Sequence, residues 1–403
     1  MEQTQTQAAG ITLRAPGWTR LAATSVAHMT EHVYIGIVTV ALPVIAASMG
    51  FSMAQAGLLV STRYFVAGLT NLPSGLLADA TRRRSTVLGF CLAFLGLGSL
   101  LMSFAPSYWP LLVFMGVSGL GTGGFHPQSI AILSSAYRER RAFALGIHDS
   151  AANLGEIIAP LTIGALLTLT DWRTTLQIWA LPGLVVGISY ALFFPERKHA
   201  AAEHGARAKG SFWHDVVKNR AVLAMLFVSI FRTLGQSATT VFLPLYMTIY
   251  LKLPVATMGF YISTVFFFAG ISPTFSGWAA DRIGRIPLIV VGSALAGLAI
   301  MAIPHLTPGI PLGIGCALVG GLLWALRPVV FAAAMEVAPP ELAGTTVGFL
   351  YSGNMGLSFL APLSAGLIAD AYGLPTALTF IGVFPLLASI VPLGLLRSRM
   401  RAV

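Results

Sequence analysis

The sequence predicts an all-α membrane protein: twelve transmembrane helices arranged as two pseudo-symmetric six-helix bundles. Three observations carry that expectation. Of 403 residues, 56% are hydrophobic and only 9% charged, where a soluble globular domain carries about 25%. Apolar runs of roughly 18 residues or more, long enough to cross a hydrocarbon core at about 1.5 Å per residue, recur along almost the whole chain. The second half then repeats features of the first at an offset of about 201 residues.

Apolar runs between charged or Gly/Pro punctuation predict helices over 20–48, 53–79, 85–104, 110–136, 142–169, 174–194, 220–249, 256–279, 286–304, 310–337, 343–371 and 374–396. The 42 Gly and 23 Pro sit inside these runs, where neighbouring helices and polar side chains re-satisfy freed backbone groups. An even number of spans puts both termini on one face. That face collects the Lys and Arg residues, apart from Arg173 and Lys252 in the opposite loops and Arg63, Arg232 and Arg327 within spans. By the positive-inside rule it is cytoplasmic. The expected location is a cell membrane, the bacterial inner membrane, crossed many times.

The stretch PERKHAAAEHGARAKGSFWHDVVKNR divides the spans six and six. The expected organisation is an N-terminal bundle over 1–194, a cytoplasmic linker over 195–219 and a C-terminal bundle over 220–403. The polar N-terminus precedes an apolar run too long for a signal-peptide core, so the first helix is expected to be retained. A net charge of +10 is explained by topology, because the basic clusters lack the interleaved aromatics of a nucleic-acid surface. Cys91 and Cys316 lie in separate apolar helices without ligand spacing and read as packing residues.

In the shifted register Leu42-Pro43 falls on Leu243-Pro244, Gly75 and Asp79 on Gly277 and Asp281, and His126-Pro127 on Arg327-Pro328. Asn153 and Gly155 fall on Asn354 and Gly356, and Ala159-Pro160 on Ala361-Pro362. Parallel six-helix repeats about an axis along the membrane normal are the architecture of the major facilitator superfamily, and the chain resembles that superfamily along essentially its full length. The resemblance implies a site near mid-bilayer between the halves.

The loop after the second helix reads GLLADATRRR and its counterpart GWAADRIGR, similar to the family pattern G-x-x-x-D-R-x-G-R. The second copy is intact, with Gly277, Asp281, Arg282 and Arg285. The first keeps Gly75, Asp79 and Arg83 but has Ala80 where Arg is usual and Arg82 where Gly is usual. These seven retained residues are the expected gating set. Asp79, at a helix end beside a basic loop, is placed to pair with Arg83 or a neighbouring helix terminus, a contact that must yield for a few kcal/mol.

Ionisable groups inside spans are expensive and mark functional positions. Helix 1 carries His28, Glu31 and His32 on one face, and helix 5 carries Asp149, Asn153 and Glu156 on one stripe with His148 beside it. Helix 7 carries Arg232 and Gln236. In register Glu31 falls on Arg232, which suggests an ion pair or a shared substrate clamp. Proton coupling is therefore expected at His28, Glu31, His32, Asp149 and Glu156. Substrate binding is expected at Arg63, His126, Asn153, Arg232, Gln236, Arg327 and Asn354, with the arginines offering forked contacts to carboxylate or phosphonate groups.

The stretch GEIIAPLTIG resembles the helix-5 motif of family antiporters, with Ala159 and Ile163 replacing glycines, and Met115 stands where the helix-4 arginine is common. HMTEHVYIGIVTVALP, FHPQS and the Asn153-Leu154-Gly155 and Ala159-Pro160 stretch together resemble the fosmidomycin-resistance-type exporters. That likeness implies proton-driven efflux of a small anionic or amphipathic drug-like compound, with His28, His32 and His126 at matching polar positions and Glu31 differing from the usual type. The expected partners are a small-molecule substrate, protons and membrane lipids, with the chain a monomer.

Metal or metal-chelate transport is the first rival, because His28, Glu31, His32, His126, His148 and Asp149 are acceptable ligands. It ranks lower because no ligand-rich loop supplies a capture site, and no metal or other cofactor is expected. Import on the same fold is the second rival. A non-transporting scaffold leaves the buried charges unexplained. No phosphate-binding loop, HExxH or GxSxG segment is present, so neither enzymatic chemistry nor ATP drive is expected.

Overall fold

Within a hydrocarbon core there is no water to bond the backbone, so each span must satisfy its own N–H and C=O groups as a helix. The computed structural model describes residues 17–137, 140–194, 212–339 and 342–394, all-helical between short connections. The first half contains α1 (Gly17–Met49), α2 (Met53–Thr81), α3 (Arg84–Ser103), α4 (Tyr108–Ala136), α5 (Arg141–Leu169) and α6 (Trp172–Phe193). The second contains α7 (Arg220–Leu245), α8 (Val255–Ile283), α9 (Arg285–Ala302), α10 (Ile310–Leu323), α11 (Leu326–Glu336), α12 (Ala343–Leu357), α13 (Leu360–Tyr372) and α14 (Leu374–Ile390). Among the described residues, nine segments suit a membrane by length and composition, with α10–α11 and α12–α13 each counted as one. The more polar α2 and α4 and the 17-residue α14 complete the twelve spans.

Two predicted helices are broken rather than continuous. The tenth span stops at Leu323 and resumes at Leu326, just before Pro328; the eleventh stops at Leu357 and resumes at Leu360, just before Pro362. Proline removes an N–H and opens the ladder behind it. In the predicted linker, 195–211 lie outside the described residues, while Phe212–Val217 form a π turn. Asn219 ends that segment by capping α7, its side-chain oxygen accepting from Ala221 and Val222 N–H at 3.0 and 3.3 Å. Cys91 and Cys316 are buried free thiols, as packing residues should be.

The halves meet along two seams, α2 against α13 and α5 against α8. Ser61 on α2 donates to the Phe359 carbonyl at 2.5 Å, and Ser263 on α8 donates to the Ile157 carbonyl at 2.8 Å. Each acceptor sits three residues before a proline, Pro362 or Pro160, and the two bonds are related by the 202-residue offset between those prolines. The backbones touch there: a Cβ on Gly57 would overlap the Pro362 carbonyl, and one on Gly259 the Pro160 carbonyl.

At the outer end of the first seam, the start of α2 is capped twice. Ser52 and Gln55 form a reciprocal box, with Ser52 N–H donating to Gln55 Oε1 at 2.9 Å and Gln55 N–H to Ser52 Oγ at 3.3 Å. The next two donors, Met53 and Ala54 N–H, reach across to the Asp370 carboxylate at 2.8 and 2.9 Å. A carboxylate from one half thus sits on a helix N-terminus of the other, where charge and dipole attract. Beside the basic loops, a Cβ added to Gly75 on α2, Gly146 on α5, Gly277 on α8 or Gly348 on α12 would meet nothing within 4 Å among the described residues. At the end away from the basic loops the halves pack closely, with Gly366 against Met53 and Gly164 against Val255.

The basic-end loops also explain a departure in the first motif copy. The turn needs a left-handed residue: Gly284 has φ +87°, and its counterpart Arg82 has φ +55°. Left-handed backbone costs a side-chain-bearing residue about 1–2 kcal/mol, partly offset by the extra chain entropy glycine loses on folding. Arg82→Gly should stabilise the protein by about 0.5–1 kcal/mol, raising the melting temperature in detergent, while Arg82→Ala, which keeps the strain, should not. Asp370→Asn should speed hydrogen exchange at Met53 and Ala54 by roughly fivefold, the equivalent of about 1 kcal/mol of lost capping; mass spectrometry of the peptide covering the start of α2 reads the effect.

Candidate functional site

Residues separated by more than a hundred positions converge at the depth of the helix-1 acid. Helical spacing puts His28, Glu31 and His32 on one face of α1, while the glycines before His126 pack α4 against α2 and α3. Glu31 has no exposure, and neither carboxylate oxygen has a hydrogen-bond partner. Its Oε2 lies 3.4 Å from His32 Nε2 and 4.0 Å from His126 Nε2. His32 turns its other nitrogen, Nδ1, to Glu156 Oε1 on α5 at 2.9 Å. His28 Nδ1 donates to the His148 carbonyl at 2.9 Å, which leaves its buried Nε2 without a partner.

This geometry has a built-in conflict. If His32 donates from Nδ1 to Glu156, a neutral ring presents a lone pair from Nε2 to the Glu31 carboxylate. Two electron pairs at 3.4 Å in a low-dielectric site repel unless a positive charge lies between them. A second proton on His32 turns both nitrogens into donors, one to each carboxylate. A proton on Glu31, donated to His32 Nε2, would relieve the same repulsion.

The guanidinium groups lie around it. Arg63 is buried, donating to the Tyr34 carbonyl at 2.9 Å and to Thr122 Oγ1 at 3.1 Å, with Nη2 unpartnered; it is within electrostatic reach of Glu31. Arg232 donates to Gln236 Oε1 at 2.7 Å and to Thr233 Oγ1 at 3.1 Å, and its Nε is unpartnered. Arg327, at the break in the tenth span, is exposed and feels His32, His126 and Arg232 electrostatically.

The expected Glu31–Arg232 ion pair is not formed: Glu31 faces imidazoles of its own half, and Arg232 is held by Gln236 and neighbouring groups of its own. Sequence register puts the two at equivalent places across the axis, and equivalence by symmetry is not contact. Asn354 is buried and donates to Ser229 Oγ at 2.9 Å. Asn153 is half-buried beside Gly270 of the opposite half, and Asp149 is exposed but within electrostatic reach of His126.

Of the gating residues, Arg285 forms an ion pair with Glu336 inside the C-terminal half, Arg282 stacks 3.7 Å over the Trp278 ring, and Asp281 and Arg83 are exposed. The side chain of Asp79 lies outside the described residues. Tyr34, Thr122 and Phe125 lie at the site although sequence reasoning assigned them no role, and His148, named there only as a possible metal ligand, lies at it too. His28 stacks on His148 at 3.9 Å and on Phe125 at 5.6 Å. Their signal was adjacency, since each sits within three residues of a predicted site residue or in the same glycine-rich stretch.

The chain matches the Major Facilitator Superfamily over residues 24–354 and 225–402. It belongs to that superfamily. A transporter of the superfamily from Bacillus subtilis is 26% identical over 94% of this chain and 95% of its own length. The gentisate transporter of Corynebacterium glutamicum is 28% identical over 88% of this chain and 82% of its own. The crystal structure of a bacterial homologue of the human lysosomal transporter Spinster, inward-facing and unoccupied, superposes with a TM-score of 0.80 at 18% identity, covering 93% and 96% of the two chains. This major facilitator chain is a multi-pass secondary transporter of small molecules and not an enzyme.

Proposed function

We propose that the transporter exchanges protons for a small organic anion by alternating access, and that it works as an exporter. One observation carries the reading: a fully buried, unbonded Glu31 faces imidazoles from two helices, while Arg63 and the exposed Arg327 lie within electrostatic reach of that cluster and Arg232 within reach of Arg327. The acid–imidazole side exchanges protons and the guanidinium side takes the anion. Arrival of the anion changes the field at the cluster, and a carboxylate that has lost its proton competes with the anion for the guanidinium groups. The two loads are thereby linked.

In this reading His28, Glu31, His32, Asp149 and Glu156 serve the proton, and Arg63, His126, Asn153, Arg232, Gln236, Arg327 and Asn354 serve the substrate. Gly75, Asp79, Arg83, Gly277, Asp281, Arg282 and Arg285 serve the gate at the basic end. The similarity to a gentisate transporter favours an aromatic carboxylate as the anion, and the likeness to fosmidomycin-resistance-type exporters favours outward movement. The basic end is then cytoplasmic, in a bacterial inner membrane, with the two bundles of one monomer rocking about the linker and seams.

The test is transport in proteoliposomes with an internal pH dye under opposite pH gradients, using gentisate and other small carboxylates. Glu31→Gln and Glu156→Gln should each lose anion-driven proton movement while keeping most anion counterflow; equal loss in both assays would make these acids structural or substrate-binding. The sign of the internal pH change separates antiport from symport. Arg327→Lys should weaken the anion about tenfold, because a planar fork becomes a point charge and one charge-assisted hydrogen bond is lost; unchanged affinity would remove Arg327 from the site.

A further inference from the structure

His28, Glu31 and His32 of α1 and His126 of α4 each offer one donor atom, and these four atoms all lie within 4.8 Å of one another. The spacing is near that of a coordination shell. Zinc–nitrogen and zinc–oxygen bonds of about 2.0–2.2 Å at tetrahedral angles put neighbouring donors about 3.3–3.6 Å apart. Glu31 Oε2 and His32 Nε2 already stand at 3.4 Å, and His126 Nε2 at 4.0 Å from the same oxygen needs a few tenths of an ångström of side-chain rotation.

Outer partners already orient two of the rings. A metal-binding histidine usually gives its second N–H to a carboxylate or a backbone carbonyl, which fixes the tautomer and aims the other nitrogen. His32 gives Nδ1 to Glu156 and His28 gives Nδ1 to the His148 carbonyl, both at 2.9 Å. Each thereby directs Nε2 inward. Of the two atoms so directed, His28 Nε2 is buried without a partner, as are both oxygens of Glu31, and unsatisfied buried polar atoms are rare unless something binds them.

We infer that His28, Glu31, His32 and His126 bind a divalent first-row transition ion, zinc by donor chemistry. Three imidazoles and one carboxylate suit zinc or cobalt and are poor for magnesium or calcium, which take oxygen donors. All four donors belong to one half, so the ion binds without the halves closing. The inference concerns the same pocket as the proposed transport reading, but it rests on donor geometry and not on which solute is carried.

Cobalt(II) is the probe, because its visible d–d bands report coordination geometry directly. Purified wild-type protein in detergent, stripped with chelator, should bind one cobalt with the intense bands of a tetrahedral nitrogen–oxygen site, and zinc should displace it stoichiometrically. Glu31→Gln and His126→Gln should lose those bands; Glu156→Gln, removing the outer partner of His32, should weaken affinity about 10–100-fold. His305→Gln, far along the chain in the outer loop after α9, should bind as wild type does. Because a variant can fail to fold, wild-type melting is read as well, and zinc but not magnesium should raise it. Absence of tetrahedral bands in wild type, or bands that survive in Glu31→Gln and His126→Gln alike, overturns the inference. Proton-coupled transport measured in chelator-washed proteoliposomes keeps the two readings apart, since neither result there alters the cobalt spectrum.

Discussion

Two serine hydroxyls hold the halves of this transporter together at the carbonyls that precede Pro160 and Pro362. In a membrane these bonds matter more than their number suggests, because lipid tails are as apolar as the helices and give no hydrophobic drive for association. What remains is close backbone contact, hydrogen bonding and fit. The seams supply all three, with carbonyl against glycine at Gly57 and Gly259 and hydroxyl against proline-loosened ladder beside them. A short contact between small residues is also a pivot, since few side chains have to repack when the helices tilt.

The acid–imidazole cluster lies beside one of these contacts. Glu156 is four residues before Pro160 on α5, and Ile157, next to it, is the carbonyl that Ser263 of the other half engages. A change in the charge carried by Glu31, His32 and Glu156 is therefore one residue from the bond that joins the halves. At the far end of the other seam, Asp370 adds an electrostatic clasp on the first turn of α2. Its counterpart at the 202-residue offset is Thr168, whose hydroxyl bonds the Ala165 carbonyl within its own helix, so among the described residues the clasp is not repeated at the second seam.

The fold was almost wholly legible in the sequence because the bilayer leaves few solutions: apolar length fixes spans, and a repeat fixes symmetry. The breaks at 324–325 and 358–359 were not seen as breaks, although Pro328 and Pro362 mark them, because apolar runs continue through both. The site was half legible. Periodicity put His28, Glu31 and His32 on one face and Glu156 on another, since both are properties of single helices. That His126 would reach Glu31, that His28 would bond the His148 carbonyl, and that Arg232 would stay away from Glu31 depend on how helices pack, and spacing along a chain does not encode that.

The central claim is that the halves tilt about the two seams, so that the ends open alternately. Spin-label distances measured in lipid, between Gly146 and Gly277 at the basic end and between Leu169 and Thr257 at the outer end, test it most directly. On addition of a transported anion under a pH gradient, the account predicts a shortened basic-end distance and a lengthened outer-end distance in the same population of molecules. Two distances that stay fixed, or that lengthen together, would contradict it.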